Sequence, residues 1–151
     1  VIAAVHGHCY TGALEVALAA DFIVASTTAR FADTHAKWAL TPVWGMSQRL
    51  PRRVGVSTAK RMMFTGATLK AEEALRVGLA EVVFDNENFM QEVSAMCKSI
   101  VENSSFTHAA NKKLLETTDG KSLDGGLQWE VYASEGVGPD MQARIAAFNK
   151  K

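Results

Sequence analysis

Apolar residues come first in short unbroken runs and later in helical stripes. Residues 1–5 (Val-Ile-Ala-Ala-Val) are apolar without interruption, which predicts a strand buried on both faces. Gly7 and Gly12 bracket a turn, and residues 13–20, rich in Ala and Leu, predict a short helix that Asp21 ends. Residues 22–25 and 29–33 predict two more strands, parted by the polar Ser26-Thr27-Thr28. Strand, helix, strand, strand within about thirty residues is α/β layering. Pro42 and Gly45 mark a loop, and residues 44–54 carry helical spacing despite Pro51. Ser57 offers an N-cap for a helix running to residue 64 and ended by Gly66. Thr68 caps the next, with Glu72 and Glu73 in its opening turn and Gly78 past its end. Residues 81–84 read as one last short strand.

From residue 87 the pattern is helical only. Phe89, Val93, Met96, Cys97 and Ile100 recur at three- and four-residue steps. Further helices are expected over 106–116, 123–134 and 139–149, with Pro139 at a tolerated first-turn position. The expected division is therefore an α/β region, 1–86, and an all-helical region, 87–151. Apolar stripes in the latter, Phe106, Leu114, Leu127 and Phe148 among them, exceed what so small a region can bury alone, and predict a homo-oligomer.

Composition narrows the function. A chain of 151 residues, 48% apolar, suffices for a compact core. Lys and Arg number 16, as do Asp and Glu, so neither a large nucleic-acid footprint nor an electrostatic membrane surface is favoured. The longest apolar runs are far too short to span a bilayer. Two cysteines, Cys9 and Cys97, make no disulfide framework and read as reduced thiols in a cytosol-like compartment. That means the cytoplasm first, with the mitochondrial matrix as the alternative. The chain opens without Met inside a strand, so its true start is expected upstream.

Glu15 is the leading candidate for chemistry. It is the only charged residue between Cys9 and Ala20. Two readings stand side by side: a first-turn Glu complements the helix dipole, and a desolvated carboxylate in so apolar a helix suits proton transfer. Gly12, at a strand-to-helix junction, is either a plain turn glycine or the bearer of an amide able to hold an oxyanion. His35 follows Phe31-Ala32-Asp33-Thr34 at the end of a strand, where functional groups gather in α/β folds, and Asp33 and Thr34 equally suit helix capping. His6 and His8 lack a third ligand at metal-site spacing, so no metal is expected. GxSxG, GxGxxG and GxxxxGK[ST] do not occur, and no Ser or Cys stands in an activating context. Lys112-Lys113 and Lys150-Lys151 are small basic pairs, read as solvated faces that a phosphate group would suit.

Residues 1–7 (Val-Ile-Ala-Ala-Val-His-Gly), 12–18 (Gly-Ala-Leu-Glu-Val-Ala-Leu) and 21–26 (Asp-Phe-Ile-Val-Ala-Ser) together resemble the pattern V-I-A-A-V-x-G … G-G-x-E-L-A-x-x-x-D of enoyl-CoA hydratase/isomerase (crotonase-type) proteins. Residues 29–32, Pro42 and 47–55 continue it in register, as do 64–66, 71–74 and 78–82. The chain resembles the C-terminal part of such an enzyme, over nearly its whole length and most densely through residue 83. The resemblance implies a partial spiral of ββα units and a helical C-terminal region used in trimer packing, as a trimer or dimer of trimers. It implies an acyl-CoA thioester substrate with no cofactor beyond the CoA the substrate carries. It puts Glu15 in the place of an acid/base carboxylate and makes the Gly12 N–H one of two amides on the thioester oxygen, the other lying upstream. Hydratases of the family usually carry a second Glu where His35 stands, so His35 is the expected proton-transfer partner. The usual glycines after Pro42 are Val43 and Trp44, leaving the Val43 N–H as a water-binding amide; Ala13 replaces another glycine. The implied activity is hydration of 2-enoyl-CoA, with Δ3,Δ2-enoyl-CoA isomerisation, or a non-catalytic acyl-CoA-binding role, as alternatives.

Overall fold

The structure, a computed structural model, describes residues 1–149. It divides into two compact units, Val1–Ser94 and the residues from Ala95 onward. Strands of the first unit alternate between two small sheets. β1 (Ile2–Val5), β3 (Phe22–Ser26) and β6 (Val82–Phe84) form an all-parallel sheet in the order β1-β3-β6. β2 (His8–Tyr10), β4 (Arg30–Ala32) and β5 (Leu69–Lys70) form the other in the order β2-β4-β5, with β5 antiparallel to β4. Each pair, β1–β2 and β3–β4, gives one strand to each sheet before the chain turns helical. α1 (Gly12–Leu18) follows the first pair; a 3-10 turn (His35–Trp38), α2 (Met46–Val54) and α3 (Val56–Thr65) follow the second. This is the repeating ββα unit of a spiral. α4 (Ala71–Arg76) then leads into β6, and α5 (Phe89–Val101) leaves the first unit.

The core explains the placement of the helices. Ile23, Val24 and Ala25 of the central strand β3 are fully buried. Met46, Leu50 and Val54 recur every four residues along α2 and point one stripe inward. Pro51 is accommodated because the carbonyl deprived of its donor belongs to Ser47, an exposed first-turn residue. Leu14 and Leu18 do the same for α1.

Several elements differ from expectation. β1 is half-buried along its length rather than buried on both faces, because it is an edge strand with β3 as its neighbour. An open groove of about 620 Å³, lined by Ala3, Val5, Ala13 and Val16 among others, runs beside it. The stretch between Gly7 and Gly12 is not a bare turn but holds β2, too short for its alternation to register. Ser57 lies inside α3, whose N-cap is Gly55, and Thr68 precedes β5, so Lys70 occupies the N-cap of α4. Pro139 sits just outside α8 (Met141–Phe148), whose N-cap position is taken by Asp140.

The second unit contains α6 (Ser105–Thr118), α7 (Leu123–Tyr132) and α8. No residue of these three helices is buried. Ser122 caps α7 by accepting from the Gly125 N–H at 3.2 Å. Lys113 pairs with Glu135 at 3.2 Å, whereas Lys150-Lys151 lie outside the described residues. Among the described residues no helix is long and apolar enough to cross a membrane, and no three His, Cys, Asp or Glu side chains gather as a metal site would need.

Candidate active site

Glu15 occupies a position its helix reserves for apolar side chains. Leu14, Ala17 and Leu18 turn inward, Val16 turns out at 66% exposure, and Glu15 falls on the inner side at 2%. Its carboxylate serves no free N–H of its own helix. Oε1 instead accepts from the backbone N–H groups of Trp44 at 2.9 Å and Met46 at 3.0 Å. Met46 is the first residue of α2, so Glu15 complements the dipole of that helix rather than of α1. One oxygen is thus tied to main chain. The other, Oε2, lies 3.7 Å from His35 Nε2.

His35 opens the 3-10 turn after β4 and is 8% exposed. Its Nδ1 is 2.6 Å from Asp33 Oδ1, which also accepts the His35 backbone N–H at 3.1 Å. Asp33 is buried at 1%. Asp33, His35 and Glu15 therefore form one line of buried side chains drawn from the end of β4 and from α1.

Gly12 begins α1, and the first helical bond runs from the Glu15 N–H to the Thr11 carbonyl, 3.0 Å. The N–H groups of Gly12, Ala13 and Leu14 thus fall where a helix offers them no acceptor. A Cβ at position 12 would stand 2.9 Å from Trp44 Cζ3, so the indole lies against this turn and glycine makes room for it. Thr11 adopts φ 52°, ψ −113°, a conformation a β-branched residue rarely takes. Its hydroxyl pairs with that of Thr34 and accepts the Thr34 N–H at 3.3 Å, tying the Gly12 turn to the segment that carries His35. The Trp44 carbonyl accepts from Arg49 Nη1 at 2.7 Å, so Trp44 is held at both its N–H and its carbonyl.

The structure brings Glu15 and His35 together and puts Gly12 at the start of the helix that carries Glu15. Val43 is different: its side chain is 79% exposed, and the amides that reach Glu15 belong to Trp44, next along the loop, and to Met46 at the start of α2. In the sequence Asp33 reads only as a capping residue. The signal was its spacing, an Asp two residues before a His at a strand end. Nothing in the sequence marked the Trp44 and Met46 amides, since main-chain groups have no letter. Burial pushes the Cys9 thiol up to about 11, which leaves it inert as a nucleophile near neutral pH.

A family model described as enoyl-CoA hydratase/isomerase matches residues 1–137. The chain belongs to that family. The match starts at the first residue of this chain and leaves its last residues outside. A short-chain-enoyl-CoA hydratase of Clostridium acetobutylicum is 35% identical over 133 residues, 88% of this chain and 51% of that protein. A carnitinyl-CoA dehydratase of Salmonella typhi is 34% identical over 129 residues, 85% of this chain and 49% of the relative. The crystal structure of an enoyl-CoA hydratase from Bacillus anthracis superposes with a TM-score of 0.92 at 32% identity, over 99% of this chain and 58% of that one. The chain thus spans about half the length of these two curated relatives. The spiral of ββα units is the architecture it shares with the Bacillus enzyme.

Proposed function

We propose that the protein is an enoyl-CoA hydratase-like lyase that adds water across the 2,3-double bond of a 2-enoyl-CoA thioester. The observation that carries the reading is the Glu15 carboxylate, buried, anchored through Oε1 by two amides, and free at Oε2 opposite His35 Nε2. Anchoring fixes the base without consuming it, as general acid–base work requires.

In the proposed sequence the Gly12 N–H, at the positive end of α1, draws charge onto the thioester oxygen and leaves C3 electrophilic. Glu15 and His35 orient a water and take its proton as oxygen bonds to C3. The enolate electrons collect on the thioester oxygen, then return to C2 as a proton is delivered there. The Val43 N–H, next to the Trp44 amide, is the proposed further contact for the water. The reaction so written draws on these groups and on the CoA that the substrate brings. The names of the relatives above, a hydratase and a dehydratase acting on CoA esters, support this class. We further propose a trimer or dimer of trimers as its assembly, and the cytoplasm or the mitochondrial matrix as its compartment.

Isomerisation of a 3-enoyl-CoA is the second reading. It is favoured by one observation: Glu15 is the only carboxylate in this line with an oxygen turned to the reacting side, since Asp33 Oδ1 is committed to His35. Moving a proton between carbons needs one such group.

Assays with 2-enoyl- and 3-enoyl-CoA substrates separate the two. Glu15→Gln keeps the amide contacts and removes the base, so turnover should fall by about 10²–10⁴ on either substrate, with the circular dichroism spectrum unchanged. His35→Ala should cost about the same in a hydratase and almost nothing in an isomerase. Near wild-type turnover of Glu15→Gln on every acyl-CoA would overturn the enzymatic reading.

A further inference from the structure

We propose that Asp33 is a positioning residue that fixes His35 in the Nδ1–H tautomer, leaving Nε2 as the atom that takes and returns a proton opposite Glu15. This rests on the acid–base reading of Glu15 and His35. An ionised carboxylate only accepts hydrogen bonds, so at 2.6 Å from Asp33 Oδ1 the His35 Nδ1 must be the donor. The same oxygen accepts the His35 backbone N–H at 3.1 Å, a fold-back over two residues that locks the Asp33 side chain in place. Asp33 is buried, so water does not compete for these bonds.

The consequence appears on the other side of the ring. With the proton on Nδ1, the neutral ring presents a lone pair at Nε2. Glu15 presents another at Oε2, and the 3.7 Å between them is too long for a direct hydrogen bond. Two acceptors facing each other across such a gap are both satisfied by the two O–H groups of one water molecule. That water is the nucleophile of the proposed hydration. Had the ring carried its proton on Nε2, it would donate toward Glu15 and give no lone pair to the water. Asp33 also settles the charge. The Asp33–His35 couple carries one negative charge with the ring neutral and none once Nε2 is protonated. A proton thus enters without leaving net positive charge on that couple in a buried site.

The tautomer itself is read without substrate. Histidine-selective nitrogen NMR of the protein reads the tautomer of His35 directly, with assignment by His35→Gln. The expected result is a proton on Nδ1 in the wild type, and the intrinsically commoner Nε2–H form in Asp33→Ala. Asp33→Asn, which keeps an acceptor oxygen, should retain the Nδ1–H form. In the acyl-CoA assay Asp33→Ala should lower kcat by about 10²–10⁴ with KM little changed, and Asp33→Asn should recover part of the loss. A wild-type His35 protonated on Nε2, or an Asp33→Ala spectrum still showing Nδ1–H, would overturn the proposal. If Asp33→Ala does not fold, the wild-type spectrum decides. If the tautomer is as expected but no acyl-CoA turns over, the functional reading fails and the role of Asp33 in setting the tautomer stands.

Discussion

A side chain at position 12 would meet the Trp44 ring. The ring is 62% exposed and can swing aside, so Gly12→Ala should change stability by less than about 1 kcal/mol. Turnover is another matter. The added methyl, 2.9 Å from Cζ3, pushes on a residue whose own N–H grips Glu15, and it crowds the amide proposed for the thioester oxygen. The expected loss is about 10²–10³ in kcat, the scale of a lost oxyanion donor. Trp44→Ala in the same chain should recover most of it; steady-state assay of the single and double variants checks this, and a fully active Gly12→Ala would refute it. Glu15 shows what sequence makes legible at this scale. A lone carboxylate among Ala, Leu and Val violates the pattern around it, and such violations gather at functional sites. Asp33 was visible as a letter but not as a partner, because capping and ring-holding use the same residue at the same spacing. Thr11 was silent: nothing in a Thr announces a positive φ.

Helices and strands repeat that contrast. Met46, Leu50 and Val54 state the inward face of α2 plainly, and α5 was legible from its three- and four-residue steps. β2 and β5, three and two residues long, have no period to read; their partners create them. Caps differ from expectation where another residue takes the position, as Gly55 does ahead of Ser57 and Lys70 does after Thr68. One set of helix ends carries a testable consequence. Asp140, at the N-cap of α8, accepts from Ser104 Oγ at 2.9 Å and pairs with Arg144, and Arg144 Nη1 donates to the Glu102 carbonyl at 2.9 Å. This clasp joins the start of α6, the start of α8 and the chain just after α5. The hydrogen bonds from Arg144 and Ser104 lower the Asp140 carboxyl below its usual range. Because the folded value is depressed, the stabilisation is full above the ordinary carboxylate range. It fades as pH falls through the folded value. Asp140→Ala should therefore quicken amide exchange in α8 at neutral pH, and wild type and variant should converge in acid. Hydrogen exchange at two pH values checks this, and equal protection at neutral pH would count against it.

Across the molecule, burial is unevenly shared. The first unit keeps Leu14, Ile23, Phe31, Met46, Leu50 and Leu79 from solvent, while α6, α7 and α8 bury nothing. Leu115, Leu123, Val131 and Phe148 each lie more than 70% exposed. Apolar surface on that scale calls for cover, and we predict self-association, as a trimer or a dimer of trimers. Light scattering at tens of micromolar, about the range in which a specific interface shows itself, should report a mass well above 16.3 kDa; a monodisperse monomer would argue against it. The grip on Glu15 has a different consequence, one for descent. Its partners at 44 and 46 are peptide N–H groups, and every amino acid except proline supplies one. Mutation can therefore exchange the side chains of that loop, and so reshape whatever lies against them, while the carboxylate stays anchored. A lineage built this way has room to drift toward new substrates without passing through an inactive ancestor.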